Sequence, residues 1–320
     1  MKIFISKTLT FIVICISLIS LIFIFTNSLI KRTANFSFKT PVNNVLFGHS
    51  HSQCAFDDSL ISDFRNVSQS RQSYFYSFQK IKKILSQNKT IKNVFIEFSN
   101  NQIDEKMDKW IWDDFSMSNR SIYFPFLEKK EGNLLFNKNS KSFITSSSKS
   151  FRNNIMNILL FNYNYINQIG GYKRLEYSKT DSLIANLKKD TIPSNIKINK
   201  LAITNIEYLE KIVNLCKESN VDIYFVRSPQ HIYCNHRVNE KEFIKIKNEK
   251  FKNIVFLDFN DFPLNNDEFG NFSHLNYKGA RIFSLWFNEL LKKGMLTKTN
   301  KNEFIINEIK KARTNKNLAN

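Results

Sequence analysis

The sequence predicts an α/β protein: a central parallel sheet of about five strands between two layers of helices, with a largely helical insertion and an N-terminal transmembrane helix. Three observations lead there. Short apolar runs alternate with amphipathic helical stretches, the pattern of a parallel sheet buried on both faces. Residues 103–200 interrupt that alternation. Residues 8–30 contain no charged side chain.

Taken in order, residues 1–7 form a short flank carrying Lys2 and Lys7, and residues 8–30 form the expected anchor. About 20 apolar residues span a bilayer as a helix. The exit Phe25-Thr26-Asn27-Ser28 lacks a small-residue cleavage pattern, so an uncleaved anchor is expected rather than a removed signal. Lys31 and Arg32 balance the lysines on the other side, and charge alone barely orients the helix. A basic polar linker, 31–41, leads into an α/β domain spanning 42–293. Its strands are expected at 45–47, near 65–67, and at 93–98, 223–226 and 254–257. Three helices show apolar stripes at helical spacing: Tyr74, Phe78, Ile81 and Leu85; then Ile206, Leu209, Val213 and Cys216; then Ala280, Phe283, Phe287 and Leu290. A structureless loop as long as 103–200 is unusual, so this segment is read as an inserted cap or subdomain. Its early aromatics, Trp110, Trp112, Tyr123, Phe124 and Phe126, suit packing within the insert, with sugar stacking as the alternative. Residues 294–320 read as a basic polar tail with a weak helical pattern near 304–312.

Composition narrows the function. The apolar fraction of 42% excludes wholesale disorder. The net charge of +19 is spread along the chain, without zinc-finger spacing, an aromatic RNA-binding strand or a concentrated basic helix. That argues against nucleic acid and fits attraction to acidic glycans or lipid head groups. With Cys15 in the anchor, Cys54, Cys216 and Cys234 remain, which leaves room for at most one unassigned bridge.

Four segments are expected at the carboxyl ends of consecutive strands, where α/β sheets place their sites. They are Gly48-His49-Ser50, Asn66-Val67-Ser68-Gln69-Ser70, Ser99-Asn100-Asn101-Gln102 and Asn271-Phe272-Ser273-His274. A serine on a strand-to-helix turn becomes a nucleophile when a histidine reaches it, and Ser50 with His274 is that pair. Ser52 is the nearest competitor. Arg227, at the end of the fourth strand, could hold an anionic substrate group or serve in an ordinary ion pair. His231-x-x-Cys234-x-His236 fits no standard zinc spacing and is expected to be a solvent-facing loop, so no metal is predicted.

In their order and placement these segments resemble the four blocks of the SGNH (GDSL-like) hydrolase superfamily, over most of residues 43–290. The resemblance implies a flavodoxin-like three-layer sandwich and a serine esterase or O-acyltransferase needing no cofactor. Ser50 would be the nucleophile and His274 its general base, with Asn271 in the place of the acid. The Ser50 amide, a second amide near Ser68 and the Asn101 side chain would surround the oxyanion, with His49 expected, like Arg227 at its strand end, to contact substrate. The run His274-Leu275-Asn276-Tyr277-Lys278-Gly279-Ala280 looks like membrane-anchored envelope members that modify polysaccharides with acyl groups. The implied partners are the membrane, an envelope polysaccharide or other acylated glycan, and a membrane-bound O-acyltransferase supplying acyl groups. The bulk of the chain would then be extracytoplasmic, in the periplasm or at the cell surface. The chain departs from the family at His49, where Asp is usual, at Ser68 and Ser99, where glycines are usual, and at Asn271. Three outcomes follow from Asn271: Asp267 or Glu268 substitutes for the acid, a dyad operates, or the fold is a degenerate glycan-binding or assembly subunit.

Overall fold

In a computed structural model, residues 1–187, 200–234 and 239–319 are described. The elements in chain order are α1 (Lys2–Thr33), β1 (Asn44–Phe47), α2 (Ser50–Ala55), β2 (Phe64–Asn66), α3 (Tyr74–Gln87), β3 (Asn93–Glu97) and α4 (Lys106–Trp112). Then come α5 (Met117–Tyr123), α6 (Lys129–Lys138), α7 (Ser140–Leu159), α8 (Thr180–Ala185), α9 (Ile203–Glu218), β4 (Asp222–Arg227) and α10 (Glu240–Lys250). The chain closes with β5 (Val255–Asp258), β6 (Phe269–Asn271), β7 (His274–Leu275), α11 (Tyr277–Lys292) and α12 (Lys301–Ala319).

Two units divide the described chain: Met1–Phe36 with Trp112–Gln168, and Ser37–Ile111 with Ile169–Asn320. The insertion is therefore narrower than the expected 103–200. Residues 103–111 and those from 169 onward belong with the sheet, while 188–199 lie outside the described residues.

The larger unit carries a five-stranded sheet in the order β2-β1-β3-β4-β5, with every neighbouring pair parallel. All four residues of β1 are buried, as a central parallel strand requires. Side chains alternate between faces with period two. One face, with Leu46, Phe95, Val226 and Leu257, packs with Phe283, Phe287 and Leu290 of α11 in one apolar core. The other includes Phe225, 4.9 Å from Phe98, which itself stacks 4.6 Å from Phe243 of α10. Each predicted strand is present within one or two residues at its ends.

The expected polar tail is a correction. Ile305 and Ile309 of α12 are buried in the same core as Leu257 and Met295, so this helix belongs to the domain. An i, i+4 isoleucine pair on a basic helix is enough to dock it when a sheet edge offers apolar surface.

The smaller unit is helical. Residues 1–22 of α1 are almost wholly exposed, and α1 is the described helix long and apolar enough to cross a membrane. Packing begins at Phe23, whose ring lies 5.8 Å from Phe124 and 5.6 Å from Phe151. Thr26 and Ile30 are buried one and two turns later. On α7, Ser142, Ser146, Ser150 and Asn154 form the buried stripe at i, i+4 spacing. The wholly buried Arg120 donates to Ser142 Oγ (2.8 Å) and to the Asp113 carbonyl (2.7 Å).

Candidate active site

Gly48 directly follows β1 and lies close against β3. A Cβ there would lie 2.2 Å from Ser52 Oγ and 2.5 Å from Glu97 Cβ, so close approach rather than an unusual φ is what requires glycine. The turn places Ser50 at the first position of α2. As a first-turn residue, its amide has no helical carbonyl to bond and faces outward from the helix start. At the other end of the chain, β6 and β7 pair antiparallel and set Asn271 opposite His274.

His274 Nε2 lies 2.8 Å from Ser50 Oγ, and His274 Nδ1 lies 3.0 Å from Asn271 Oδ1. The same Oδ1 accepts from the backbone amides of Ser273 (2.9 Å) and His274 (3.1 Å). Those two amides can donate only to oxygen, so the carboxamide presents its oxygen to the ring. Nδ1 therefore carries the proton, and Nε2 is left to accept from the Ser50 hydroxyl. Asn271 fixes both the orientation and the tautomer of His274. It lacks only the negative charge of an acid. The two alternative carboxylates are engaged elsewhere: Asp267 pairs with Lys278 (3.0 Å), and Glu268 caps the amide of Asn265.

Ser52 is no rival to Ser50. It is wholly buried, and its hydroxyl donates to Glu97 Oε2 at 2.6 Å. Burial also pushes the Cys54 thiol up to about 12, leaving it protonated and inert.

Three expectations about site residues are corrected. The Ser68 amide donates to Asn66 Oδ1 (2.9 Å), a local turn that occupies the donor expected at the oxyanion. Arg227 does not face a substrate. It is buried, with Nε and Nη2 on Asp258 and Nη1 on Glu240 and Asn100. Burial works against its charge, but the paired carboxylates more than offset that and hold it well above its ordinary value. His49 is wholly buried and touches Glu97 and Asn101 instead of solvent. The His231 loop faces solvent only in part: Ile232 and Tyr233 are exposed, but His231 is buried and meets Asn266 at 3.0 Å, and Cys234 is buried 3.5 Å from Ser273 Oγ. His236 lies outside the described residues. None of the four cysteines is in a disulfide, so the bridge left open by the sequence is not formed.

Asn101 is half-buried, whereas Asn100 is wholly buried and donates to Glu240 at 2.7 Å. The serines standing for glycines are integrated by their hydroxyls. Ser68 Oγ sits 2.9 Å from Ser52 Oγ, and Ser99 Oγ donates to Asn101 Oδ1 at 2.8 Å. Trp110 lies in the larger unit with its ring centroid 6.4 Å from that of His49, and Trp112 lies under Lys138 in the smaller one.

Several contributors escaped the sequence reading. Glu97 closes an apolar strand and is wholly buried. Its Oε2 accepts from the His49 amide (2.9 Å) and the Ser52 amide (3.2 Å). A lone ionisable residue ending a buried strand is itself a signal, because such a group must be partnered. Lys80 is also wholly buried and ties the second block together, donating to the Val67 carbonyl and Gln72 Oε1 at 2.6 Å each. Burial drives its ammonium well below the ordinary value. Residues 169–179 strap the blocks, with Gly171 donating to Ser68, Lys173 to Gln53 and Lys179 to Gly270.

His49, His51 and Glu97 place one ligand atom each within 4.8 Å of one another, a donor set that could suit a divalent metal. The donor atoms are already engaged: His49 Nδ1 lies 3.3 Å from Glu97 Oε1, and His51 Nδ1 meets the Gln230 amide N–H at 2.7 Å. The set is committed to hydrogen bonds, and no step is assigned to a metal.

Comparison with known proteins adds little to this geometry. A family model carrying no description matches residues 179–296, less than half of the chain, spanning Asn271 and His274 but not Ser50. No curated protein matches the chain.

Proposed function

We propose that this chain is a membrane-anchored, extracytoplasmic serine esterase or O-acyltransferase of the SGNH type, acting on acyl groups of cell-envelope glycans. The observation that carries the reading is the Ser50–His274–Asn271 relay, with contacts of 2.8 and 3.0 Å and a tautomer fixed by two backbone amides. The strand order 2-1-3-4-5 supports a flavodoxin-like sandwich, and the apolar α1 supports an anchor. The placement of the bulk outside the cytoplasm and the glycan substrate rest on resemblance to envelope members of the superfamily. A membrane-bound O-acyltransferase would be the acyl supplier on the same ground.

In this mechanism His274 Nε2 takes the Ser50 proton as Oγ attacks the ester carbonyl. The imidazolium that forms is held through Nδ1–H by Asn271 Oδ1. The Ser50 amide and Asn101 Nδ2 donate to the oxyanion. His274 then protonates the departing alcohol, leaving an acyl-Ser50 ester. Water, or a sugar hydroxyl for transfer, attacks the acyl carbon as His274 takes its proton, and His274 returns that proton to Ser50 Oγ as the acid or new ester departs.

The test is acyl release or transfer from an O-acetylated polysaccharide by the full chain in detergent. Ser50→Ala is expected to lower the rate at least about 10³-fold while the fold persists. Equal rates for wild type and Ser50→Ala would refute the reading.

A further inference from the structure

We propose that Glu97 and His49 are positioning residues that hold the Asn101 carboxamide as the oxyanion donor beside Ser50. The proposal rests on the acyl-transfer reading above and adds to it a function for the buried histidine and glutamate.

His49 cannot meet a substrate, because it has no exposed surface. Its ring instead bridges two groups. Nδ1 lies 3.3 Å from Glu97 Oε1 and 3.2 Å from the His51 amide. Nε2 lies 2.9 Å from Asn101 Nδ2 and 3.2 Å from Asn101 Oδ1. With the His49 proton on Nδ1, where it faces the Glu97 carboxylate, Nε2 accepts from Asn101 Nδ2. Ser99 Oγ fixes the other side by donating to Oδ1 at 2.8 Å. Nδ2 has two protons and His49 can take at most one, so at least one N–H remains for a substrate oxygen.

Glu97 anchors the bridge. A buried carboxylate is tolerated only when hydrogen bonds replace its water. Here the amides of His49 and Ser52 and the Ser52 hydroxyl (2.6 Å) converge on Oε2. With Oε2 fixed, Oε1 is turned toward His49 Nδ1 and Ser99 Oγ, each at 3.3 Å. The chain Glu97–His49–Asn101 thus lies behind the oxyanion as Asn271 lies behind His274. A donor must be held in place to stabilise charge that exists only in the transition state, so rigidity here is read in the rate.

Two substitutions separate the two edges of the ring, since an asparagine amide falls near where Nδ1 lies and a glutamine amide near where Nε2 lies. The experiment measures the rate of Ser50 labelling by a fluorophosphonate, with thermal midpoints, on the full chain in detergent. Asn101→Ala is expected to slow labelling about 10²-fold, the usual cost of an oxyanion donor. His49→Asn keeps the Glu97 side, loses Asn101, and should slow labelling comparably with a near-wild-type midpoint. His49→Gln, which still reaches Asn101, should retain most of the rate. The double variant His49→Asn/Asn101→Ala should be no slower than Asn101→Ala alone, because both remove one interaction. Wild-type labelling by His49→Asn, a slower rate for His49→Gln than for His49→Asn, or multiplying losses in the double variant would each overturn the proposal. So would stoichiometric zinc that is lost in His49→Asn. If wild type labels at Ser50 and only these variants misbehave, the acyl-transfer reading stands without the positioning chain. If wild type is not labelled at all, both fall together.

Discussion

Replacing Asn271 with aspartate would add a charge behind His274 while leaving the hydrogen-bond pattern intact. Asn271 Oδ1 already accepts from Ser273 N, His274 N and His274 Nδ1 at 2.9, 3.1 and 3.0 Å, so a carboxylate oxygen inherits three donors in place. A neutral hydrogen bond contributes about 1 kcal/mol, and one to an ionised group about 1.5–3 kcal/mol. The imidazolium of the transition state would therefore gain roughly 1–2 kcal/mol, and the half-buried setting places the gain at the lower end. At about 1.4 kcal/mol per decade, a gain of about 1 kcal/mol means that Asn271→Asp should raise kcat/KM for an activated acetyl ester about fivefold. The negative charge also favours protonated His274, so the acidic limb of the pH–rate profile should move to higher pH. The assay is ester hydrolysis by wild type and Asn271→Asp between pH 5 and 9. An active wild type whose aspartate variant is folded but no faster would refute the reasoning that orientation is already supplied and only charge is missing.

The remaining predictions concern buried charge. Burial holds Lys80 well below its ordinary 10.5, so the unfolded chain binds that proton more readily. The penalty is complete below the folded-state value and is relieved as pH rises toward 10.5. The thermal midpoint of wild type should therefore gain on that of Lys80→Met between pH 7 and 10, and a constant or shrinking difference would contradict this. Arg227→Met should cost about 2 kcal/mol, because Asp258 and Glu240 lose their partner but are exposed enough to be rehydrated. Its KM for an anionic acylated glycan should stay within about twofold of wild type, in line with the variation usual for a site away from substrate; a large KM rise with unchanged stability would return Arg227 to the binding site.

The sheet was legible because its strands are buried on both faces. Runs such as Asn44–Phe47 and Asp222–Arg227 stand out as short apolar segments between helical stripes. Ser50 and His274 were legible because each follows a strand in a short turn pattern. Asn271 was placed by sequence, but its effect was not. Which end of its carboxamide meets His274 depends on two backbone amides of a hairpin that exists only in the fold. Glu97 looked like the polar end of a strand, and its donors come from His49 and Ser52 on the turn after β1. Arg227 at a strand end resembled a substrate contact, since its partners Asp258 and Glu240 lie on β5 and α10. In α12, Ile305 and Ile309 enter the core and Phe304 and Ala312 pack partly against it, a short apolar stripe that a basic background obscures.

The central claim is that Ser50 is a nucleophile activated by His274. Intact-mass analysis of the full chain treated with a fluorophosphonate, followed by peptide mapping, tests it most directly. One adduct per chain is expected at Ser50, absent in Ser50→Ala, strongly slowed in His274→Ala and still formed in folded Ser52→Ala. A wild-type chain without an adduct, or an adduct that persists in Ser50→Ala, would contradict it.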